Sequence, residues 1–388
     1  MSTKTKMLCM VLLATFLATT TFAAELEGVK IGVGTLRMGG IFQAWLYATN
    51  YNNSINYLDA TKYTSFQSKR ARFLFWGNII PDKISYFVQL EMVNSPAFLD
   101  YKMMFTDYVP RTTISVGRFL PYWTLFMWKP VSQLELIYYP LVVQRTAVPG
   151  GNVDHFAMWR QCGVQTATKF DAFSVYLGLF NGADIPDNTT DNNNAKDFMA
   201  RLDVHPAMDN MELLVGGEFW LGRNPKVIGY NFAGYPILDP DRNENNTTFG
   251  GFLSVDYNQM LKFRGEYLMR TKVNGIGTFN DLTEVWEWTD LKDAGFYAMG
   301  GYTPIEWLEI LARYDWFDPN TANSADDGTD KDAESWITFG VNYMFLNYNA
   351  VIGLNLVKKT EQWKILDNQD AEVNFDNNEA ILQFQIAF

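Results

Sequence analysis

The chain is poor in the residues that carry most chemistry. It has two cysteines and two histidines among 388 residues. Two cysteines exclude a disulfide scaffold and most thiolate metal sites. His155 and His205 stand far apart, and neither Gly-x-Ser-x-Gly nor His-Glu-x-x-His occurs. Gly32-Val33-Gly34 lacks the third glycine and the helix of a dinucleotide site. No enzyme, cofactor or metal is expected. Charge is also scarce, at 19% of residues, and its balance is −12. An acidic chain repels polyanions, which argues against nucleic acid as a partner. Nor is there a helix-length apolar run beyond the first two dozen residues. If the chain spans a membrane, it has to do so with strands.

Aromatic residues, by contrast, reach 16%. Little charge with many rings excludes disorder. A soluble protein has to bury that ring area, whereas a membrane protein can leave it facing lipid.

Residues 1–23 read as a secretory signal peptide. Lys4 and Lys6 form a positive start, Met7 to Ala18 an apolar segment, and Ala23 or Ala24 a small-residue cleavage site. Cys9 leaves with it, so Cys162 remains alone. The loss of two lysines takes the balance to −14, with 29 basic and 43 acidic residues. Residues 24–388 are then a single barrel domain.

Period-two alternation dominates that domain. Ile84, Tyr86, Val88, Leu90 and Met92 fall on one face, with Ser85, Gln89 and Glu91 on the other. Sixteen such segments run from Leu36–Ala48 to Ala380–Phe388. They include Met211–Leu221, Thr248–Tyr257, Leu261–Arg270 and Ala294–Tyr302. Most approach the ~9–11 residues of a tilted transmembrane strand. Short turns such as Pro81-Asp82 and Asn258-Gln259 alternate with mostly longer polar links. Those links include Asn50 to Lys62, Gly222 to Asn246, Thr271 to Leu291 and Asp318 to Glu334. The expected fold is all-β: an up-and-down antiparallel transmembrane barrel of about sixteen strands. The last strand alternates Ala380, Leu382, Phe384, Ile386 and Phe388. Phe384, Ile386 and the terminal Phe388 read as an outer-membrane assembly signal, with the barrel assembly machinery as partner.

At sixteen strands a barrel is too wide for side chains to fill, so the polar face belongs to a water-filled lumen and the apolar face to outer-membrane lipid. Tyr and Trp near strand ends (Tyr257, Tyr302, Trp307, Tyr343) supply interfacial girdles. Trp45 and Trp336 carry the inward parity instead. The inward basic candidates are Arg37, Arg70, Arg72, Lys102, Arg201, Lys262, Arg264, Arg270 and Arg313. The acidic ones include Glu91, Asp100, Glu218, Asp256, Glu266, Glu309 and Asp315. The signs nearly cancel, which predicts cross-strand pairing rather than a ring of one sign. The surplus acid sits in the outer loops, mainly between Asp318 and Glu334. Such a segment suits a solvated rim, a divalent cation or an external partner.

The link from Leu120 to His155 is not polar. It is rich in Trp, Phe, Leu and Tyr, and such a loop does not lie freely in water. It is expected to fold into the lumen as a constriction. Arg118, Trp123, Trp128, Lys129, Glu135 and Arg145 are its candidate residues.

Several segments resemble the phosphate-selective porin (OprO/OprP-like) family. They are Lys69-Arg70-Ala71-Arg72-Phe73, Val116-Gly117-Arg118-Phe119-Leu120-Pro121, Gly178-Leu179-Phe180-Asn181-Gly182, Ala200-Arg201-Leu202 and Arg313-Tyr314-Asp315-Trp316-Phe317-Asp318. They occur in family order over nearly the whole chain after residue 24. The resemblance implies a sixteen-stranded homotrimeric porin whose third loop lies inside the pore. Its solutes are small and hydrophilic, anions such as phosphate among them. The family's phosphate specificity rests on an arginine and lysine ladder, and the mixed inventory here departs from that. A rival reading is a plugged structural or adhesive barrel whose acidic loops bind an external partner.

Overall fold

In the computed structural model, residues 28–49, 63–93, 95–148, 151–154, 156, 158–182, 195–230, 236–280, 285–321, 333–361 and 378–388 are described. The signal segment and most of the acidic stretch between Asp318 and Glu334 lie outside them. The first strands are β1 (Val29–Ile31), β2 (Gly34–Thr49), β3 (Tyr63–Ile80), β4 (Ile84–Glu91), β5 (Ala97–Thr106) and β6 (Thr112–Phe119). Within the long link lie β7 (Arg145–Val148) and β8 (Gly151–Asp154). Next come β9 (Gln161–Lys169), β10 (Phe173–Phe180), β11 (Asp197–Val204), β12 (Met211–Tyr230), β13 (Pro236–Tyr257) and β14 (Leu261–Asn280). The last are β15 (Val285–Ile305), β16 (Leu308–Asp318), β17 (Glu334–Leu346), β18 (Ala350–Glu361) and β19 (Glu379–Ala387).

Sixteen of these strands form one closed antiparallel barrel in chain order. β1 only folds back on β2, and β7 with β8 makes a separate small hairpin. The barrel closes where β19 pairs with β2, with Gln383 opposite Trp45 and Gln385 opposite Gln43. Side chains reinforce that seam: the Trp45 indole N–H donates to Gln383 Oε1 at 2.8 Å, and Tyr47 OH donates to Glu379 Oε1 at 2.8 Å. Gly40 and Phe388 exchange backbone hydrogen bonds at 2.9 and 3.0 Å, so the chain end is itself part of the closure. Closure leaves no unpaired edge.

The short turns follow from their residues. Asn258 and Gln259 have φ of 51° and 58°, the left-handed pair that a two-residue hairpin needs to match strand twist. Asp82, Asn210 and Asn347 also take positive φ. These are side chains that tolerate it.

β12 to β15 are longer than the alternation predicts. They run 20, 22, 20 and 21 residues. The segments read as the polar links Gly222 to Asn246 and Thr271 to Leu291 largely continue as paired strands. A backbone ladder needs no apolar face once it leaves lipid, so loss of alternation does not end the strand. These hairpins are about twice the length of a tilted membrane-spanning strand.

Burial is inverted relative to a soluble protein. Phe339 and Leu356, facing out, are 46% and 47% exposed, whereas inward Asp315 and Glu309 are fully buried. Tyr257, Tyr302, Trp307 and Tyr343 are exposed near the short-turn end and form a belt there. Trp45, Trp220 and Trp336 point inward and are buried.

Candidate functional site: the divided lumen

The link after β6 enters the barrel. Trp123, Leu125, Met127, Leu141, Val142 and Val143 are at most 1% exposed and form the main apolar cluster with inward residues of the wall. Its rings explain why: in water they would expose a large apolar surface, and inside the barrel they bury it. Two wall glycines make room. A Cβ on Gly295 would come within 2.7 Å of Val142, and Leu136 lies against Gly340.

Polar groups of the wall hold this loop at successive strands. Gln165 on β9 accepts from the Tyr122 backbone N–H at 3.0 Å. Arg201 on β11 donates to the Thr124 carbonyl at 2.5 Å. Glu218 on β12 accepts from Thr124 N–H and Glu266 on β14 from Leu125 N–H, both at 2.8 Å. Arg313 on β16 donates to the carbonyls of Tyr138 and Tyr139 at 2.9 and 3.0 Å, while Asp315 accepts from Leu141 N–H at 2.9 Å. Asn342 on β17 donates to the Glu135 carbonyl at 2.7 Å, and Gln385 on β19 to that of Ser132 at 2.9 Å. The loop therefore lies along the wall from β9 round to β19. These wall groups satisfy buried backbone groups of the loop, as a segment without a ladder of its own requires.

Under the loop the charges are matched. Arg201 pairs with Asp203 at 2.6 Å, Arg313 with Asp315 at 2.7 Å, and Arg264 with Asp256 at 2.7 Å. Lys262 pairs with Glu309 at 2.6 Å, and Arg270 with Asp293. Glu135 of the loop adds a contact to Arg264 at 3.4 Å. These pairs give Arg201, Arg264, Arg270 and Arg313 an opposite partner each, as a low-dielectric site demands, while Glu218 stands 3.9 Å from Arg201 and Glu266 is held by the Leu125 N–H.

On the other side the lumen is open. A cavity of about 960 Å³ lies between the loop and the inner faces of β2 to β6 and β9. Arg37, Lys69, Arg70, Arg72, Lys102, Lys129 and Arg160 line it, with Asp100 as the one carboxylate among the described lining residues. Arg72 is held by Glu91 at 2.8 Å and Arg160 by Asp100 at 2.9 Å. Lys69, Arg70 and Lys102 form no ion pair among the described residues. Lys69 Nζ instead lies 4.5 Å over the Trp45 ring. Burial in the loop draws Lys129 below the ordinary lysine value, against the pull of Glu135. Tyr139, also on the loop, is pushed up by burial, opposed by Arg70, Arg72 and Arg160 nearby.

The ten lumen candidates thus divide. Arg37, Arg70, Arg72 and Lys102 line the open cavity, and Glu91 braces Arg72. Arg201, Arg264, Glu266, Arg270 and Arg313 do face inward, but they are buried beneath the loop. Of the loop candidates, Trp128 and Lys129 line the cavity. Trp123 is an anchor: its N–H donates to the Phe156 carbonyl at 2.9 Å and its ring packs on Trp220. Glu135 is buried against Lys129 and Arg264. Arg118 belongs to β6, not to the loop. Its guanidinium donates to the carbonyls of Phe98 and Leu99 at 2.8 and 2.6 Å and does not line the cavity. The Arg145 side chain and His155 lie outside the described residues.

Two lining cations escape the alternation. Lys69 is the extra residue of a β-bulge: Gln43 pairs with Arg70 and Ala44 with Ser68. The bulge sends two successive side chains, Lys69 and Arg70, to the same side. Arg160 precedes β9, so strand parity does not govern it. Arg37, Arg70, Arg72 and Lys102 were the readable cations of the strands, and Lys129 that of the loop.

Other chemistry is thin. Ser174 Oγ lies 3.0 Å from His205 Nε2, with no carboxylate paired to that ring among the described residues. No group of three metal-ligating side chains occurs among them either.

No family model and no curated protein matches the sequence. The resemblance to phosphate-selective porins therefore rests on its motifs. Solved structures do match in fold. The outer membrane channel DcaP of Acinetobacter baumannii aligns with TM-score 0.63 at 11% identity, covering 94% of this chain and all of that one. OmpT, an outer membrane protein of Vibrio cholerae, aligns at 0.56 and 15%, covering 93% and 100%. OprB of Pseudomonas putida aligns at 0.57 and 8%, covering 91% and 94%. The fold is that of the outer-membrane barrels.

Proposed function

We propose that this chain is an outer-membrane channel for passive diffusion of small hydrophilic solutes, with a preference for anions. The observation that carries this reading is the lining of the open cavity, seven cations against one carboxylate. In a narrow, low-dielectric passage an excess of one sign concentrates the opposite ion. The net acidity of the chain does not oppose this, because inward Asp203, Asp256 and Asp315 are paired with arginines and the loop covers that side of the lumen. Phosphate is one candidate solute. The same reading includes export through the segment at residues 1–23, insertion by the barrel assembly machinery through the strand that ends at Phe388, lipid around the apolar belt, and assembly as a homotrimer.

The test is the reversal potential of purified, folded protein in a planar bilayer under a salt gradient. Anion preference is expected, and it should fall when Arg70 and Arg72 become Gln. Cation preference would overturn the anion reading. A folded protein without conductance would favour the plugged barrel instead.

A further inference from the structure

The cavity wall is not uniformly polar. β3 contributes Lys69, Arg70 and Arg72, and the loop contributes rings, among them Trp128 and Tyr138. Both rings are only half-buried, and Tyr138 stands 5.6 Å from Trp45, the ring under Lys69. The two surfaces thus meet in one space. Arg70 keeps most of its donors unspent. A guanidinium carries five N–H groups, and among the described residues one hydrogen bond goes to Gln43 Oε1 at 2.6 Å. The Lys69 ammonium forms no ion pair among the described residues.

A small inorganic anion uses only half of such a wall. It is strongly hydrated, and rings cannot replace its water. A carboxylate attached to a ring uses both halves. Its two oxygens match the planar fork of an arginine, and its ring gains contact with other rings in the offset or edge arrangement. The volume, about 960 Å³, is ample for such a molecule.

We propose that the open lumen is a binding site for aromatic carboxylates, in which Arg70 and Lys69 hold the carboxylate and Trp128 and Tyr138 receive the ring. This deepens the anion-channel reading and rests on it. The site makes the channel favour organic acids with an apolar body over inorganic phosphate.

The test uses three sodium salts, benzoate, acetate and phosphate, added to one side of a bilayer carrying chloride current. Benzoate is expected to reduce the current, with half-block at a concentration about tenfold below that of acetate, which has the same head and no ring. Arg70→Gln should weaken block by both acids, whereas Trp128→Ala combined with Tyr138→Leu should weaken block by benzoate alone. Folding of each variant is checked by its heat-modifiable mobility in detergent gels. Equal block by acetate and benzoate, or stronger block by phosphate, overturns the inference while the anion channel stands. Absence of conductance, or cation preference in the unmodified protein, sinks the underlying reading instead.

Discussion

The two sides of the lumen are built from the same residue types and behave oppositely. From β11 to β16, Arg201, Arg264 and Arg313 meet Asp203, Asp256 and Asp315, and the loop closes over them. From β2 to β6, Lys69, Arg70 and Lys102 face open space and form no ion pair among the described residues, the nearby Asp100 and Glu91 being taken by Arg160 and Arg72. A count over the whole inner face averages these regions to near neutrality. What separates them is the loop, whose backbone N–H groups occupy Glu218, Glu266 and Asp315. A carboxylate that accepts from a buried backbone amide serves structure, and its charge is lost to the passage.

Removing the loop breaks this division most severely. Replacing residues 125–143 with a short Gly-Ser linker uncovers the carboxylates of β12 to β16. Single-channel conductance should rise severalfold, since a sixteen-strand barrel without a plug is a wide aqueous pore. The reversal potential should move toward cations. An unchanged, anion-selective conductance would mean that the loop does not divide the lumen.

A matched pair of substitutions separates the sides energetically. Arg313→Gln leaves Asp315 buried and unpaired and frees two loop carbonyls. Losing one partner of a buried pair costs about 3–5 kcal/mol. The barrel should unfold at lower temperature in detergent, with a noisier channel. Arg72→Gln removes an arginine that faces the cavity beside Glu91. The stability cost there should be smaller than at Arg313, because Arg72 and Glu91 are partly exposed to the cavity, at 12% and 17%, while the anion preference falls. Thermal melts and reversal potentials on both variants check the contrast. Equal destabilisation would erase the distinction.

Much of this architecture was legible in the chain. Alternation located the sixteen strands, because lipid and water on opposite faces impose period two. The ring content of Leu120 to His155 placed that loop inside, because such residues do not stay in water. The parity of Arg201, Glu266 and Arg313 was readable too. What covers them was not, since that depends on a loop over a hundred residues distant in sequence from most of its partners. Lys69 was hidden by a bulge, and a bulge leaves no mark in a pattern that continues on both sides. Arg160 sits just outside its strand, where alternation has no authority. The long hairpins of β12 to β15 were hidden because paired backbone persists after the lipid-facing pattern ends.

The smallest expected effect concerns Lys129, which stands where the two sides meet. It lines the cavity, yet it also lies 3.8 Å from Glu135, the loop carboxylate that contacts Arg264. Burial draws its proton affinity below the ordinary lysine value of 10.5. Its charge is therefore lost, as pH rises, earlier than that of an exposed lysine. Loss of a cation from the wall weakens anion preference, so the preference should decline on the alkaline side. Lys129→Arg keeps the charge throughout, because guanidinium does not titrate in this range. The difference between the two pH profiles isolates this one group from the other lysines of the wall. It should amount to about twofold or less in the permeability ratio. Superimposable profiles would place Lys129 with the structural charges beneath the loop rather than with those that meet the solute.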